Sequence, residues 1–247
     1  MATTTVTRDA AAPRSKRKPP FPVELYRSAV GKKYVMAITG IMIMGFVFAH
    51  MIGNLKMYLG PAEFDSYAEF LRELIVPILP RTVALWIMRL GLIAAFALHI
   101  HAAYGLTRIN HAARAVKYQS KRDYVAANYA SRTMRWSGVI VGLFIVWHLF
   151  DLSWTGTGFG YHFHRGDAYG NVDGALSRLP VAILYVVANL ALGLHLFHGA
   201  WSLFQTMGWN NPRFNAWRRN FAAAFAGLIV VGNVSFPIAV QLGIVSV

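Results

Sequence analysis

The chain has 247 residues, 56% of them hydrophobic and only 14% charged, against about 25% charged in an ordinary soluble domain. That deficit argues against a soluble globular fold. Zero cysteines exclude disulfides, a self-contained iron–sulfur site and covalent c-type haem. The net charge of +14 points to nucleic acid only if the basic residues form a recognition surface, so their distribution decides its meaning.

Residues 1–20 are rich in Ala, Thr, Pro, Arg and Lys, and read as an arm that is disordered or docked on a partner. Its Arg14, Lys16, Arg17 and Lys18 run suits anionic lipid headgroups, an acidic protein surface or a plain topology signal. Five apolar stretches follow, at about 34–58, 83–107, 137–154, 179–206 and 221–247. Each has the length of helix that crosses a hydrocarbon core of roughly 30 Å. The first lies too far along the chain, behind the basic arm, to read as a cleaved signal peptide. Between the first two stretches, residues 67–74 suggest a short amphipathic helix closed by Pro77 and Pro80. The 156–174 loop, rich in Gly and aromatics, shows no regular pattern. The expected fold is all-α: one five-helix transmembrane domain over residues 21–247.

Eight Lys or Arg precede Tyr34, seven lie between Arg108 and Arg135, and three between Arg213 and Arg219, so eighteen of the twenty-four share one side. The positive-inside rule then puts the N-terminus in the cytoplasm and the C-terminus outside, as an odd number of spans requires, in a multi-pass protein of the cell inner membrane. Basic residues sorted by membrane side, with no recognition motif, leave nucleic-acid binding without support.

Six of nine histidines fall inside the spans: His50, His99, His101, His148, His195 and His198. Ionisable groups at membrane depth are costly and point to function. At about 1.5 Å of rise per residue, His50 lies ~21 Å and His148 ~18 Å from the cytoplasmic edge, and His101 ~10 Å and His198 ~12 Å. The heights sort into an outer pair and an inner pair, as two bis-histidine metal centres stacked across the bilayer need. Without thiolates, haem iron suits two imidazoles better than zinc, whose structural sites take four ligands. His99 points away from His101, whereas His195 shares a face with His198. Either extra histidine can be the inner ligand, a haem-propionate or quinone contact, or a buried hydrogen-bonding group, the last being preferred for His99. Gly45, Gly53, Gly105, Gly193 and Gly199 either make room for a flat macrocycle or allow close helix packing. Arg89 and Asp151 either pair with each other or serve the outer centre, Arg89 at a haem propionate and Asp151 beside His148.

The run Ser28, Gly31, Lys32, Lys33, Tyr34, Met36, Ala37, Thr39, Gly40, continuing to His50, Gly53, Asn54 and Leu55, resembles the start of the cytochrome b558 family of succinate dehydrogenase and fumarate reductase membrane subunits. Phe64, Asp65, Tyr67, Ala68 and Leu71 resemble that family's first outer loop, and the segment from His195 to Gly208 resembles its fourth helix. The similarity covers nearly the whole chain from about Pro20. It implies the membrane anchor of respiratory complex II, which docks a flavoprotein and an iron–sulfur subunit on its cytoplasmic face and passes electrons between them and quinone. It also implies two b haems, His50 with His148 outside and His101 with His198 inside. A histidine-ligated iron–sulfur cluster completed by a partner subunit is the alternative for the inner pair. Candidate quinone contacts are Arg27, Ser28, Ser202 and Gln205 on the inner side, and Tyr67, Glu69 and Glu73 on the outer side. The rival functions are a proton-coupled transporter with a histidine relay and a structural anchor lacking haem.

Overall fold

A computed structural model describes residues 20–113, 129–154, 162–209 and 211–246. Among these the regular structure is helical, without strands. Five helices are long and apolar enough to span a membrane: α2 (Ala29–Asn54), α4 (Val83–Ala112), α5 (Tyr129–Leu149), α7 (Leu179–Thr206) and α8 (Asn215–Gln241). Three short helices, α1 (Phe21–Arg27), α3 (Pro61–Arg72) and α6 (Ala168–Leu176), lie at the two ends. In the most apolar window of each long helix only 11% to 39% of residues are buried against the rest of the chain. Ile93, Leu143 and Val231 are each more than 60% exposed. An apolar surface of this extent requires lipid around it, and the chain is a multi-pass membrane protein.

α2 begins at Ala29, five residues earlier than expected, because Ser28 is an N-cap that accepts a hydrogen bond from Gly31 N at 2.9 Å. Ser28 is extended and separates α2 from α1, a helix the sequence pattern does not announce. Lys32 Nζ turns back and donates to the carbonyls of Tyr26 (2.9 Å) and Arg27 (3.2 Å), which the end of α1 leaves without helical partners. The Tyr26 hydroxyl hydrogen-bonds His101 Nδ1 on α4, and the two rings stack at 5.7 Å.

At the other end, α2 tightens into a 3₁₀ turn over Leu55–Leu59, and Gly60 at φ +96° reverses the chain into α3. α3 covers Pro61–Arg72, earlier than the expected 67–74. It lies back on α2 so closely that a β-carbon on Gly53 would fall 2.6 Å from the Tyr67 hydroxyl. α5 ends in a π-helical turn, Phe150–Trp154. Part of the 156–174 loop lies outside the described residues, but its C-terminal part enters α6, where the sequence pattern suggests no regular structure. Two carboxylates make that helix start. Asp167 accepts from Gly170 N at 2.7 Å, and Asp65 of α3 accepts from Ala168 N (2.8 Å) and Tyr169 N (3.0 Å). α8 begins at Asn215, before the expected 221, and ends at Gln241 ahead of Gly243 at φ +67°.

α2 packs on α4, α5 on α7 and α7 on α8. The small buried residues Ala182, Ala188, Ala191, Gly193 and Ala200 let the neighbours approach α7 closely. One core, with Met57, Phe64, Tyr169, Tyr185 and Phe236, fills the α3–α6 end. A second, Met51, Leu196, Ala226 and Ile229, joins α2, α7 and α8.

Asp65→Ala removes both tertiary hydrogen bonds to the α6 start and is expected to cost about 1–2 kcal/mol. Thermal unfolding in detergent, with faster amide exchange at residues 168–170, measures it.

Candidate metal centre

The long helices bring histidine rings together in two pairs, each crossing between the α2–α4 and α5–α7 hairpins. His50 on α2 meets His148 on α5 with ring centroids 5.9 Å apart. His99 on α4 meets His195 on α7 at 6.5 Å. Iron held at about 2 Å by one nitrogen of each ring would place the centroids roughly 6 Å apart. His50 is exposed and the other three are half-buried, so none belongs to the close-packed cores.

Local hydrogen bonding decides which nitrogen each ring keeps available. Thr39 Oγ1 donates to Val35 O at 2.7 Å and lies 3.1 Å from His99 Nδ1. Having spent its hydrogen on its own helix, the hydroxyl accepts from Nδ1–H and leaves His99 Nε2 with the lone pair. Ser137 repeats the device: its hydroxyl donates to Met134 O at 2.9 Å and faces His195 Nδ1 at 3.4 Å. His148 Nδ1 lies 3.2 Å from the Tyr185 hydroxyl. At His50 the direction is reversed: Asn54 Nδ2, one turn away, donates to Nδ1 at 3.2 Å and leaves the ring hydrogen on Nε2. Three of the four rings, His99, His148 and His195, have Nδ1 beside a hydroxyl oxygen that can accept its hydrogen, the arrangement that orients a metal-binding imidazole.

At the inner level the facing rings are His99 and His195, where height along the helices sets His101 against His198. Helical rise fixes height but not azimuth. His101, two residues beyond His99, turns to the other side of α4 and meets Tyr26. His198 keeps its place three residues after His195, edge-on to Trp201 at 6.2 Å, and its Nδ1 is buried without a hydrogen-bond partner. Among the described residues, no three His, Asp or Glu side chains converge. Pairs, not a four-ligand zinc set, are what the described residues offer.

The glycines divide differently from the expectation. Gly53, Gly105 and Gly193 are contact points for Tyr67, Lys32 and Val230, while Gly45 and Gly199 have open space beside them. The glycines that seat imidazoles are Gly40 and Gly138, where a β-carbon would lie 3.6 Å from His99 Cε1 and 3.2 Å from His195 Cε1.

Asp151 is fully buried, and its partner is not Arg89. Arg178, at the start of α7, donates to Asp151 Oδ1 at 2.7 Å, and the Tyr185 hydroxyl donates to Oδ2 at 3.5 Å. The π-helical turn brings Asp151 under α7, which separation along the sequence does not reveal. Arg89 instead stacks over Trp86, 5.1 Å from the ring centroid. Nothing in the sequence singles out Tyr185 or Arg178, because a tyrosine and an arginine near a helix end commonly face the membrane interface.

The proposed quinone contacts are mostly occupied. Ser28 donates to Leu25 O at 2.6 Å while capping α2, and Ser202 donates to Gly199 O at 3.1 Å. Arg27 and Gln205 are exposed. Tyr67 packs on Gly53 and lies under Lys56, 5.9 Å from its ring centroid. Glu69 is gripped by Arg81 and, at 2.9 Å, by Arg72, with Glu73 4.0 Å from Arg81. Arg81 first, then Arg72, holds the Glu69 carboxyl below the usual carboxylate range. That makes it a poor proton acceptor near neutrality.

Comparison with known proteins gives no match to a family model, a curated protein or a solved structure.

Removing one partner of the Asp151–Arg178 pair strands a buried charge, so Asp151→Ala is expected to destabilise the bundle by about 3–5 kcal/mol. A double-mutant cycle with Arg178→Ala in lipid nanodiscs, scored by thermal unfolding, should give a strongly non-additive result.

The Glu69 clasp contributes fully above the ordinary glutamate pKa of about 4.3 and is lost as pH falls through the lower folded value. A spin label on Ile78→Cys, unique in a cysteine-free chain, should report a looser 73–82 segment at acid pH. Glu69→Gln should loosen it already at pH 7.

Proposed function

We propose that the chain is the membrane-anchor and electron-transfer subunit of a succinate:quinone oxidoreductase. Dicarboxylate chemistry then lies on a partner flavoprotein, and electrons reach this bundle through a partner iron–sulfur subunit on the cytoplasmic side. The observation that carries the reading is the double ring pairing, His50 with His148 and His99 with His195, at two levels of the bundle. The sequence resemblance supplies the reaction class.

The donor set fits haem b. His99, His148 and His195, each with Nδ1 beside a hydroxyl oxygen, would hold the iron through Nε2, and His50 would do so with the Asn54 amide turned to bring its oxygen to Nδ1. Haem iron, when bound, supplies reversible one-electron transfer. The residues of this chain orient the rings, hold them between two hairpins and keep water from the α7 side of the site with a packed core. Proton uptake near Glu69 finds no support in its ion pairs, which hold the carboxylate charged. Quinone is expected to approach near the α1 end, where Arg27 and Gln205 remain accessible.

The complex, purified with its partner subunits, should show a b-type reduced-minus-oxidised spectrum and two haems per chain. His50→Ala or His148→Ala should remove one centre, and His99→Ala or His195→Ala the other, while His101→Ala keeps both. Loss of the inner centre in His101→Ala or His198→Ala alone would return the assignment to the other inner pair. Iron without haem would favour a cluster completed by a partner. Absence of redox-active iron would leave a transporter or a bare anchor.

A further inference from the structure

We infer that Tyr185, backed by the Asp151–Arg178 ion pair, is a positioning residue for His148, holding that ring as the Nδ1–H tautomer with Nε2 available for ligation. The inference rests on the reading of His148 as a metal ligand and assigns the polar chain behind it.

The direction of the chain follows from its donors and acceptors. Asp151 is 0% exposed, and Arg178 Nη2 donates to its Oδ1 at 2.7 Å, so the carboxylate is paired inside the bundle. Arg178 is fixed in turn, its Nε donating to Ala175 O at 3.1 Å. The other carboxylate oxygen accepts the Tyr185 hydroxyl hydrogen. A phenol that has given its hydrogen away presents a lone pair, and the nearby nitrogen at 3.2 Å is His148 Nδ1. The imidazole must therefore donate from Nδ1.

The phenol itself cannot swing away. Its ring is crossed edge-on by Phe144 at 4.9 Å, lies 5.8 Å from the His148 ring, and is only 7% exposed. One turn on, Asn189 Nδ2 donates to the Tyr185 carbonyl at 2.8 Å. Packing alone at this Phe144-lined position would be met by phenylalanine. A hydroxyl here needs an acceptor, and the only buried carboxylate among the described residues stands three residues beyond His148, on its face of the π-distorted helix end. The other ring pair is treated differently, with Thr39 and Ser137 hydroxyls that donate in turn to the backbone carbonyls of Val35 and Met134. Loss of such an outer partner typically weakens metal binding 10–100-fold.

The test uses the full complex with its partner subunits, comparing wild type, Tyr185→Phe, Asp151→Asn and Ser137→Ala. Haem content per chain is followed during challenge with apomyoglobin as haem acceptor, and the low-spin electron paramagnetic resonance signal of each centre is recorded. Tyr185→Phe should weaken retention at the His50–His148 centre about 10–100-fold and shift its signal, leaving the His99–His195 centre unchanged. Ser137→Ala should do the converse. Should Tyr185→Phe fail to assemble, Asp151→Asn, which keeps the side-chain shape, decides by the same two readouts. Wild-type signal and retention in Tyr185→Phe would overturn the inference while leaving the haem assignment standing, as would equal loosening of both centres. A wild-type complex with no haem would overturn both.

Discussion

An imidazole at membrane depth has two nitrogens and no water to satisfy them, and the rest of this bundle is arranged around that constraint. The answer is similar at three of the paired rings, His99, His148 and His195: a hydroxyl oxygen stands at Nδ1 and leaves Nε2 with the lone pair, while His50 Nδ1 accepts from the Asn54 amide. Thr39 and Ser137 serve because their own hydrogens are already committed to Val35 O and Met134 O. Each binds as an acceptor without bringing an unsatisfied donor into hydrocarbon. Tyr185 reaches the same state through a carboxylate, and that carboxylate in turn requires Arg178. The ion pair is therefore a consequence of the ring it supports, and it explains how a charge comes to be wholly buried in a five-span bundle.

The ends of the bundle hold the helices at the heights this needs. At one end Lys32 closes the α1–α2 corner and lays its side chain on Gly105 of α4, while Tyr26 reaches His101. At the other, Asp65 ties α3 to α6, and Tyr67 sits on Gly53. These contacts are short-range and polar, placed where water or headgroups begin. Between them the helices rely on small residues and shape, as expected where lipid is as apolar as the side chains.

The membrane spans are legible in the sequence because length and hydropathy alone determine whether a helix can cross a bilayer. His50 and His148 are legible as partners for a similar reason: their heights agree, and no competing histidine lies on either helix. The inner level is not, because α4 and α7 each carry two histidines near that height and rise says nothing of direction around the axis. His99 faces Gly40 and His101 faces Tyr26, a distinction made by how α4 packs on α2 and α1. A regular helix drawn to the end of the third span matches Asp151 with the wrong arginine, whereas the π turn brings it to Arg178. Helix α6 has only Asp167 as a local start signal, because the other capping carboxylate, Asp65, is about a hundred residues away.

The placement of the pairs also bears on assembly. α2 and α4 pack together, as do α5 and α7, but each histidine pair takes one ring from each hairpin. The helix backbones come together less across that seam than at the α7–α8 interface, and the core around Met51 and Leu196 packs α2 against α7 there. A group ligated by both rings of a pair would join the hairpins at that level, and its binding free energy would add to that of the assembled bundle. Two such groups at different heights resist both sliding and splaying of one hairpin against the other. Cofactor loading and helix assembly would then be one process, with the Nδ1 contacts of His99, His148 and His195 each formed within a single hairpin.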